Sequence, residues 1–377
     1  MSNFFLKTGQ IIYRIKRPLL FQFDSERVHN WLTAIGERIG RSKILRSTLQ
    51  AMWRVESPIL EQTFHGIKFS NPIGLSAGFD YEARLTQVLP AIGFGFGTVG
   101  TITNNAYEGN PYPRLGRLVK SRSLLVNKGF KNEGIRVIIK KLTGAKFAIP
   151  VGISIGKTNG QKEMTQAEAV ADVVTTFQIA ETNRTAVSFS YYELNISCPN
   201  LYGDVEFYSP EHLQDLLTVV TALNLSKPLF IKMPINKSDD ETRAMLSIIA
   251  DHPVAGVIFS NLQTNRNDPS LNQTEVKRYE QGFFSGKPVE KRSNELIALA
   301  YKEFGSKLTI IGCGGVFSAE DAYKKVKLGA SFIEMITGMV YVGPQLPAQI
   351  NLGLIKLLKQ GGFNNVAQAV GIETKSS

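Results

Sequence analysis

From Pro58 onward, short strand-like runs alternate with amphipathic helical segments, and this alternation constrains the fold more than any other feature. Strands are predicted near 73–76, 96–101, 150–155, 191–196, 228–233, 255–260, 308–312 and 331–335. Helices are predicted near 81–92, 131–143, 165–181, 209–224, 238–252, 293–304, 318–328 and 344–360. Runs such as PVGISI and PLFIKM are apolar throughout, as in parallel strands buried on both faces. Eight successive units predict an α/β fold, a (β/α)8 (TIM) barrel.

The residues before the barrel lack the alternation of strands and helices, and we place the domain boundary between residues 1–55 and residues 56–377. Ile11 and Ile15 share one helical face, as do Leu32 and Ile39, so residues 1–55 are predicted to form a small helical extension. Pro18 is expected to break its first helix, and Asp24 or Ser25 to cap a second. The stretch TFHGIKFSNP that follows predicts a hairpin beneath the barrel floor.

Charge is concentrated in this extension. The chain carries a net charge of +11, and residues 1–54 hold ten basic residues against three acidic ones. Basic residues interleaved with large apolar ones are typical of short helices that lie on an anionic membrane surface. The alternative is a helical pair that packs on its own barrel, and the two are compatible. No nucleic acid is expected to bind, because the rest of the chain has no second basic stripe.

Several function classes are excluded by what the chain lacks. Two cysteines cannot build a disulfide framework, so a reducing, cytoplasmic location is expected. The four histidines are scattered without metal-ligand spacing, so no metal site is predicted. No apolar run is long enough for a transmembrane helix, and no cleaved signal peptide is expected.

Amides collect where the chemistry of a barrel is usually found, at the carboxyl ends of the strands. Three loops there are long, 102–130, 197–208 and 261–292, and long loops usually bind or cover something. Asn127, Asn195, Asn200 and Asn261 fall in these loops or directly after strands. Each alone is most simply a turn residue. Together they predict a site for a flat ring with carbonyl and N–H groups.

Three further strand-end features suggest chemistry. Lys232 ends the fifth strand, where it could form a Schiff base or hold negative charge on a cofactor. Gly314-Gly315 and Thr337-Gly338 follow the last two strands, where barrels commonly hold a phosphate. Cys198 follows the fourth strand, and its thiolate could act as a base, acid or nucleophile. Cys313 is better explained by burial alone.

These residues together resemble dihydroorotate dehydrogenase of the quinone-using, membrane-associated class 2. The motifs NPIGLSAGFD, NPYPRLGRL, NKGF, ELNISCPN, IKMP, SNLQ, FSGKP, IIGCGG and TGM follow in the order of that family. The resemblance implies bound FMN and the conversion of dihydroorotate to orotate in pyrimidine biosynthesis. The positions expected to bind FMN are Ala77, Gly78, Thr101, Ser154, Lys232, Ser260, Gly286, Gly314, Gly315, Thr337 and Gly338.

The resemblance also implies roles for the remaining candidates. Asn127, Asn195, Asn200 and Asn261 match the four amides that hold the substrate ring, and Cys198 occupies the position of the catalytic base. Lys232 would stabilise the negative charge of reduced flavin. Membrane quinone would reoxidise the flavin near His29 and Arg117, with residues 1–54 docked on the cytoplasmic face of the inner membrane.

The chain departs from class 2 at several of these positions. Cys198 replaces the class 2 serine, Leu201 replaces a threonine, and Tyr81 replaces a lysine that touches flavin and substrate. Ser154, Leu262 and Ile336 replace an asparagine, a polar residue and a tyrosine. The alternatives are therefore a diverged FMN oxidoreductase acting on another cyclic amide or ene, and a barrel lyase or flavin-less binding scaffold.

Overall fold

Eight parallel strands form a closed barrel in the computed structural model, which describes residues 2–160 and 164–375. The barrel strands are β3 (Ile73–Leu75), β4 (Phe96–Ile102), β7 (Val151–Ile155), β8 (Tyr191–Asn195), β9 (Leu229–Lys232), β10 (Gly256–Phe259), β12 (Thr309–Cys313) and β13 (Phe332–Met335). They neighbour one another in chain order, and β13 pairs with β3 to close the ring. The predicted (β/α)8 barrel and its eight strand positions are confirmed.

An aromatic layer fills the amino-terminal end of the barrel. The antiparallel strands β1 (Gln62–Phe64) and β2 (Ile67–Phe69) form the predicted floor hairpin. Phe69 packs against Phe96 and Phe332, with ring centroids 5.6 and 4.5 Å apart. Gly74 is required here, because a Cβ atom at that position would lie 2.2 Å from the ring of Phe96. The packed floor leaves the opposite end of the barrel for a site.

The helices form an outer ring around the barrel, with further short helices at the carboxyl end of the chain. They are α4 (Ile135–Leu142), α5 (Gln166–Thr182), α6 (Pro210–Thr221), α7 (Asp239–Ala250), α8 (Gln273–Val276), α9 (Lys287–Phe304), α10 (Ala319–Leu328), α11 (Thr337–Val342), α12 (Leu346–Gln360) and α13 (Ile372–Lys375). Short 3-10 turns cover Pro58–Leu60, Leu89–Ile92 and Val366–Ala369. Thr165 and Ser238 make capping boxes with Glu168 and Glu241, which explains where α5 and α7 begin.

The helix predicted over 81–92 is wrong. The carboxylate of Asp80 accepts hydrogen bonds from the backbone N–H groups of Arg84 and Leu85, so the chain turns instead. Only Leu89–Ile92 forms a single 3-10 turn, which ends at Gly93 with φ of 100°. The fourth helix begins four residues later than predicted, at Ile135, because Gly134 has a φ of 80°.

A second sheet of three strands forms within two of the segments predicted as long loops, above the carboxyl ends of the barrel strands. Strands β5 (Leu115–Leu118) and β6 (Ser123–Val126) form an antiparallel hairpin within 102–130, and β11 (Phe283–Phe284) adds a third strand from the loop 261–292. Two of the three long loops are therefore joined by backbone hydrogen bonds. This sheet forms one wall of the candidate site.

The amino-terminal extension contains three helices rather than two, α1 (Ser2–Leu20), α2 (Ser25–Arg41) and α3 (Lys43–Trp53). Asp24 caps α2 by accepting from the N–H of Arg27, as predicted, whereas α1 continues two residues past Pro18. The extension packs on the barrel, since Tyr13 and Arg17 donate to the carbonyl groups of Val340 and Tyr341, both at 2.6 Å. Among the described residues, no helix is long and apolar enough to cross a membrane.

Part of the apolar surface of the extension nevertheless remains uncovered. Phe4 and Ile15 on α1 are 69% and 72% exposed, and Ile44 on α3 is 77% exposed. Further exposed apolar residues on α1 and α2 are Ile11, Ile12, Leu19, Trp31 and Leu32. Packing on the barrel and an outward apolar face therefore coexist in this extension.

Candidate active site

One cavity of about 650 Å³ joins the top of the barrel to the space beneath α1 and α2. Its inner part is lined by Asn195, Cys198 and Lys232, and its outer part by apolar residues such as Ile12 and Leu32. Among the predicted site residues, every one except Asn127 and Ser154 lines this cavity. A polar inner end and an apolar outer end suit two different ligands that meet in the middle.

Three of the four predicted amides line the inner end and are held in fixed orientations. Asn195 donates from Nδ2 to Thr101 Oγ1 at 2.9 Å, and its Oδ1 accepts from Ser197. Asn261 donates from Nδ2 to Ser197 Oγ at 2.9 Å. Ser197 thus links two amides from different strands, a role that its place between Asn195 and Cys198 did not reveal in the sequence.

The fourth amide, Asn127, belongs to a network that the sequence analysis missed. Asn110 Nδ2 donates to Asn127 Oδ1 at 3.0 Å and to the carbonyl group of Asn200 at 2.9 Å. Asn159 Nδ2 donates in turn to Asn110 Oδ1 and to the carbonyl group of Gly129. Asn110 and Asn159 are buried and lie in loops after β4 and β7, so the same strand-end argument could have found both.

Cys198 lies at the edge of this amide cluster, and its thiol is protonated near neutral pH. Burial raises the pKa of Cys198 to about 12, against a hydrogen bond from the backbone of Asn200 and the charges of Lys232 and Lys157, which lower it. Lys157 is itself buried and donates to the carbonyl group of Tyr202 at 3.2 Å. Near neutral pH Cys198 is therefore a neutral thiol, and the thiolate considered as a base forms only at higher pH.

Lys232 lies inside the barrel between two fully buried carboxyl groups. Its Nζ is 3.9 Å from both Glu193 Oε1 and Glu334 Oε2, and it donates to Ser76 Oγ at 2.8 Å. Burial lowers the pKa of Lys232, but the two glutamates raise it by more. The net effect is a raised pKa, so the ammonium is charged. A Schiff base requires a neutral amine, and the first of the two roles considered for Lys232 is therefore disfavoured.

Hydrogen bonds connect the buried glutamate Glu193 to the amide of Asn195. Ser154 Oγ donates to Glu193 Oε1 at 2.6 Å and lies 2.9 Å from Thr101 Oγ1, which binds Asn195. Burial raises the pKa of Glu334 to about 7, which Lys232 partly offsets. Glu334 is therefore partly protonated near neutral pH.

A cradle of glycines lies on the opposite wall of the cavity. Gly286, Gly314 and Gly315 have φ of 83°, 107° and 74°, and a Cβ atom at Gly315 would lie 2.3 Å from Glu290. Thr337 Oγ1 lies 2.7 Å from Ser285 Oγ at the start of α11. Ser260 Oγ is buried with no hydrogen-bond partner among the described residues, so this wall offers an unused polar group.

Tyr81 separates the inner end from the amino-terminal helices. Its ring stacks on His29 with centroids 5.5 Å apart, and its Oη donates to Asn30 at 3.2 Å. Burial lowers the pKa of His29 well below its usual value, and the charge of Lys128 lowers it further, so the imidazole is neutral. Lys128 Nζ lies 4.0 Å from the centre of the Tyr81 ring.

Arg117 anchors the outer end of the cavity from strand β5. Its guanidinium donates to the carbonyl group of Phe23 at 2.8 Å and lies 4.7 Å from the centre of the Phe21 ring. It therefore fixes the turn between α1 and α2. His29 and Arg117 both line the cavity, on the side covered by the extension.

Comparisons with known proteins agree with this geometry. The family model described as dihydroorotate dehydrogenase matches residues 59–358. A dihydroorotate dehydrogenase (quinone) from Mycolicibacterium smegmatis is 35% identical over 96% of this chain and 99% of its own length. One from Trichormus variabilis is 34% identical over 96% and 98%.

Solved structures give the same result. A dihydroorotate dehydrogenase from Eimeria tenella in complex with ferulenol has a TM-score of 0.79 and 25% identity, over 93% of this chain and 96% of that one. Its ligand-free form has a TM-score of 0.81 over 93% and 99%. The family model and relatives that cover 96% of this chain show that the chain belongs to the dihydroorotate dehydrogenase family.

Proposed function

We propose that this protein oxidises dihydroorotate to orotate with bound FMN and passes the electrons to a membrane quinone. The observation that carries the proposal is one continuous cavity, which joins an amide-lined polar end to an apolar end beneath exposed helices. Relatives that span nearly the whole chain are named dihydroorotate dehydrogenase (quinone). This similarity disfavours the diverged oxidoreductase, the lyase and the binding scaffold.

The residues present fit a flavin mononucleotide. Gly314 and Gly315 line the cavity with positive φ, and their backbone N–H groups could donate to a phosphate. The orphaned Ser260 hydroxyl offers a further hydrogen bond, and Lys232 supplies a buried cation. The other groups expected to hold FMN are Ala77, Gly78, Thr101, Gly286, Gly314, Gly315, Thr337 and Gly338. Ser154, which does not line the cavity, would act only through its hydrogen bond with Thr101. A bound flavin accepts a hydride from a substrate carbon and later gives up electrons to an oxidant.

The substrate ring would bind among the amides Asn195, Asn200 and Asn261, which line the cavity, beside Asn127, which does not line it and is tied to Asn200 through Asn110. Ser197 and Asn110 fix the orientations of these amides before the ligand arrives, which lowers the entropy cost of binding. Oxidation removes a proton and a hydride from adjacent ring carbons as their single bond becomes double. Cys198 Sγ is the group that would take the proton, as the thiolate. Burial raises the pKa of its thiol, while the charges of Lys232 and Lys157 lower it, so the reactive fraction increases with pH.

The amino-terminal extension, residues 1–55, would admit the quinone and dock on lipid, while residues 56–377 carry the oxidation. Its exposed apolar residues and net positive charge suit an anionic membrane surface. His29 and Arg117 lie on the side of the cavity that a lipid-soluble oxidant would enter. We place the protein in the cytoplasm, peripherally bound to the inner membrane.

The test is anaerobic mixing of the purified yellow protein with dihydroorotate. We expect the oxidised flavin absorbance to bleach, and orotate to appear in equal amount. Cys198→Ala is the matched control, because it should keep the flavin and lose the bleaching. Flavin that stays oxidised at millimolar dihydroorotate would contradict the proposed substrate, and catalysis without FMN would contradict the cofactor.

A further inference from the structure

A buried lysine in the cavity has no use in the mechanism described above. Lys128 is 8% exposed and lines the same cavity as Cys198, and its Nζ has no hydrogen-bond partner among the described residues. A buried ammonium without a hydrogen-bond acceptor costs several kcal/mol unless a ligand supplies one. The ammonium instead lies 4.0 Å from the centre of the Tyr81 ring, whose face attracts a cation but accepts no conventional hydrogen bond.

The charges around Lys128 leave this corner of the cavity with an excess of positive charge. Glu26 is the buried carboxylate, and it is shared by Arg114 and Lys131, each 3.6 Å from one of its oxygens. Both oxygens of Glu26 lack a hydrogen bond among the described residues. The other titratable groups that face Lys128 are Glu82 and the neutral His29. The cations Lys128, Lys131 and Arg114 thus outnumber the acidic residues Glu26 and Glu82 at this corner. The excess of positive charge favours an anionic ligand.

The position of Lys128 in the chain indicates which ligand group it meets. It directly follows Asn127, which the Asn110 network ties to Asn200 and so to the substrate end of the cavity. The ring of Tyr81 fixes the ammonium from one side, and His29 and Asn30 fix that ring. A dihydroorotate ring held by the amides carries one carboxylate, the only charged group on the molecule.

We propose that Lys128, held against Tyr81, binds the carboxylate of the substrate and so selects carboxylated rings. This inference rests on the proposed function and deepens it. Tyr81 stands where the resembled family carries a lysine, so the cation at this site comes from a different residue of this chain.

The proposal has a pH signature that a purely structural lysine lacks. Burial lowers the pKa of free Lys128 to about 7, and Lys131 lowers it further while Glu26 raises it. A bound carboxylate raises that pKa, so binding takes up a proton. Affinity is therefore greatest below pH 7 and falls as pH rises through the pKa of the complex. His29 stays neutral and Cys198 stays protonated over pH 7–9, whereas Glu334 also titrates near pH 7.

The experiment measures orotate and uracil binding to the flavin-loaded protein from changes in flavin absorbance, between pH 6.5 and 9. Uracil has the same ring without the carboxylate. We expect Lys128→Met to weaken orotate binding about 10- to 100-fold and to leave uracil unchanged. Lys128→Arg should keep orotate binding and lose most of its pH dependence, which leaves the part due to Glu334. Lys131→Met is the matched control for a neighbouring cation and should change orotate binding less than about threefold.

Equal losses for orotate and uracil would overturn the proposal, as would unchanged orotate binding in Lys128→Met. A wild-type pH dependence that Lys128→Arg retains in full would overturn it as well. Failure of the proposed function is distinguishable, because dihydroorotate would then not bleach the wild-type flavin. If it bleaches the flavin while Lys128→Met binds orotate normally, only the present inference fails.

Discussion

Replacing Lys232 with Met tests how the barrel interior holds three ionisable groups with no access to water. Lys232 lies 3.9 Å from each of two glutamates, Glu193 and Glu334, and both carboxyl groups are fully buried. Loss of one partner from a buried ionic cluster costs about 3–5 kcal/mol of unfolding free energy. The glutamates can lower this cost only by taking up protons, and that possibility sets a second, sharper expectation.

The sign of the pH dependence follows from the protons bound in each state. Burial raises the pKa of Glu334 and Lys232 lowers it, so without Lys232 that carboxyl group stays protonated in the folded protein above pH 7, whereas it is ionised in the unfolded chain. The folded variant then binds one more proton than the unfolded one, so its stability falls by about 1.4 kcal/mol per pH unit. In the wild type the pKa of Glu334 is raised to about 7, so this group lowers the stability as the pH rises from its ordinary pKa to about 7. Above that pH its contribution no longer changes.

The difference in stability between wild type and variant should therefore grow by about 2 kcal/mol between pH 7 and pH 8.5. Urea unfolding of flavin-free protein, followed by circular dichroism, measures it without a contribution from cofactor binding. Lys232→Met/Glu334→Gln is the control, and at pH 8.5 it should be more stable than the single variant because it removes the group that carries the extra proton. A single variant within 1 kcal/mol of wild type, or a pH-independent difference, would refute the reasoning.

Three other predictions concern the proposed reaction and the membrane. Cys198→Ala should lower the rate of flavin reduction at least about 100-fold. The wild-type rate should rise with pH up to 9, since burial raises the pKa of the thiol. Stopped-flow absorbance measures both rates, and a wild-type rate that does not change with pH would contradict the role of Cys198. Gly315→Ala should lose bound FMN in the purified protein, because its φ is 74° and a Cβ atom would lie 2.3 Å from Glu290. Ile15→Asp should weaken sedimentation with anionic vesicles while flavin reduction persists; Val137→Asp, an exposed apolar position on barrel helix α4, is the control, and equal effects would contradict docking by the extension.

The repeating pattern of the barrel made its strands predictable, whereas single side chains decided the errors. A continuous apolar run identifies a buried parallel strand, because a strand that is buried on both faces needs apolar residues at consecutive positions. The segment 81–88 carries apolar residues at helical spacing, but the carboxylate of Asp80 competes for the first N–H groups and stops a helix from forming. The β5–β6–β11 sheet depends on a pairing between segments more than 150 residues apart, which no local pattern encodes.

The candidate site could be predicted to the extent that its residues follow strands. Asn195, Asn261 and Lys232 line the cavity because the topology of a barrel brings strand ends together. The protonation states could not be predicted in this way, because they depend on burial and on neighbours from other strands. The high pKa of Cys198 and the unpartnered ammonium of Lys128 are both of this kind.

The contacts that hold α1 in place also determine when it can fold. Tyr13 and Arg17 bind the carbonyl groups of Val340 and Tyr341, which are separated from them by 327 and 324 residues. During synthesis, the ribosome makes the whole barrel between these two segments. Helix α1 is therefore made early in the described chain, whereas its contacts with α11 form late. Until α11 has formed, the part of α1 that packs on it lacks that partner, so a nearby lipid surface would compete with the barrel for this part of the helix.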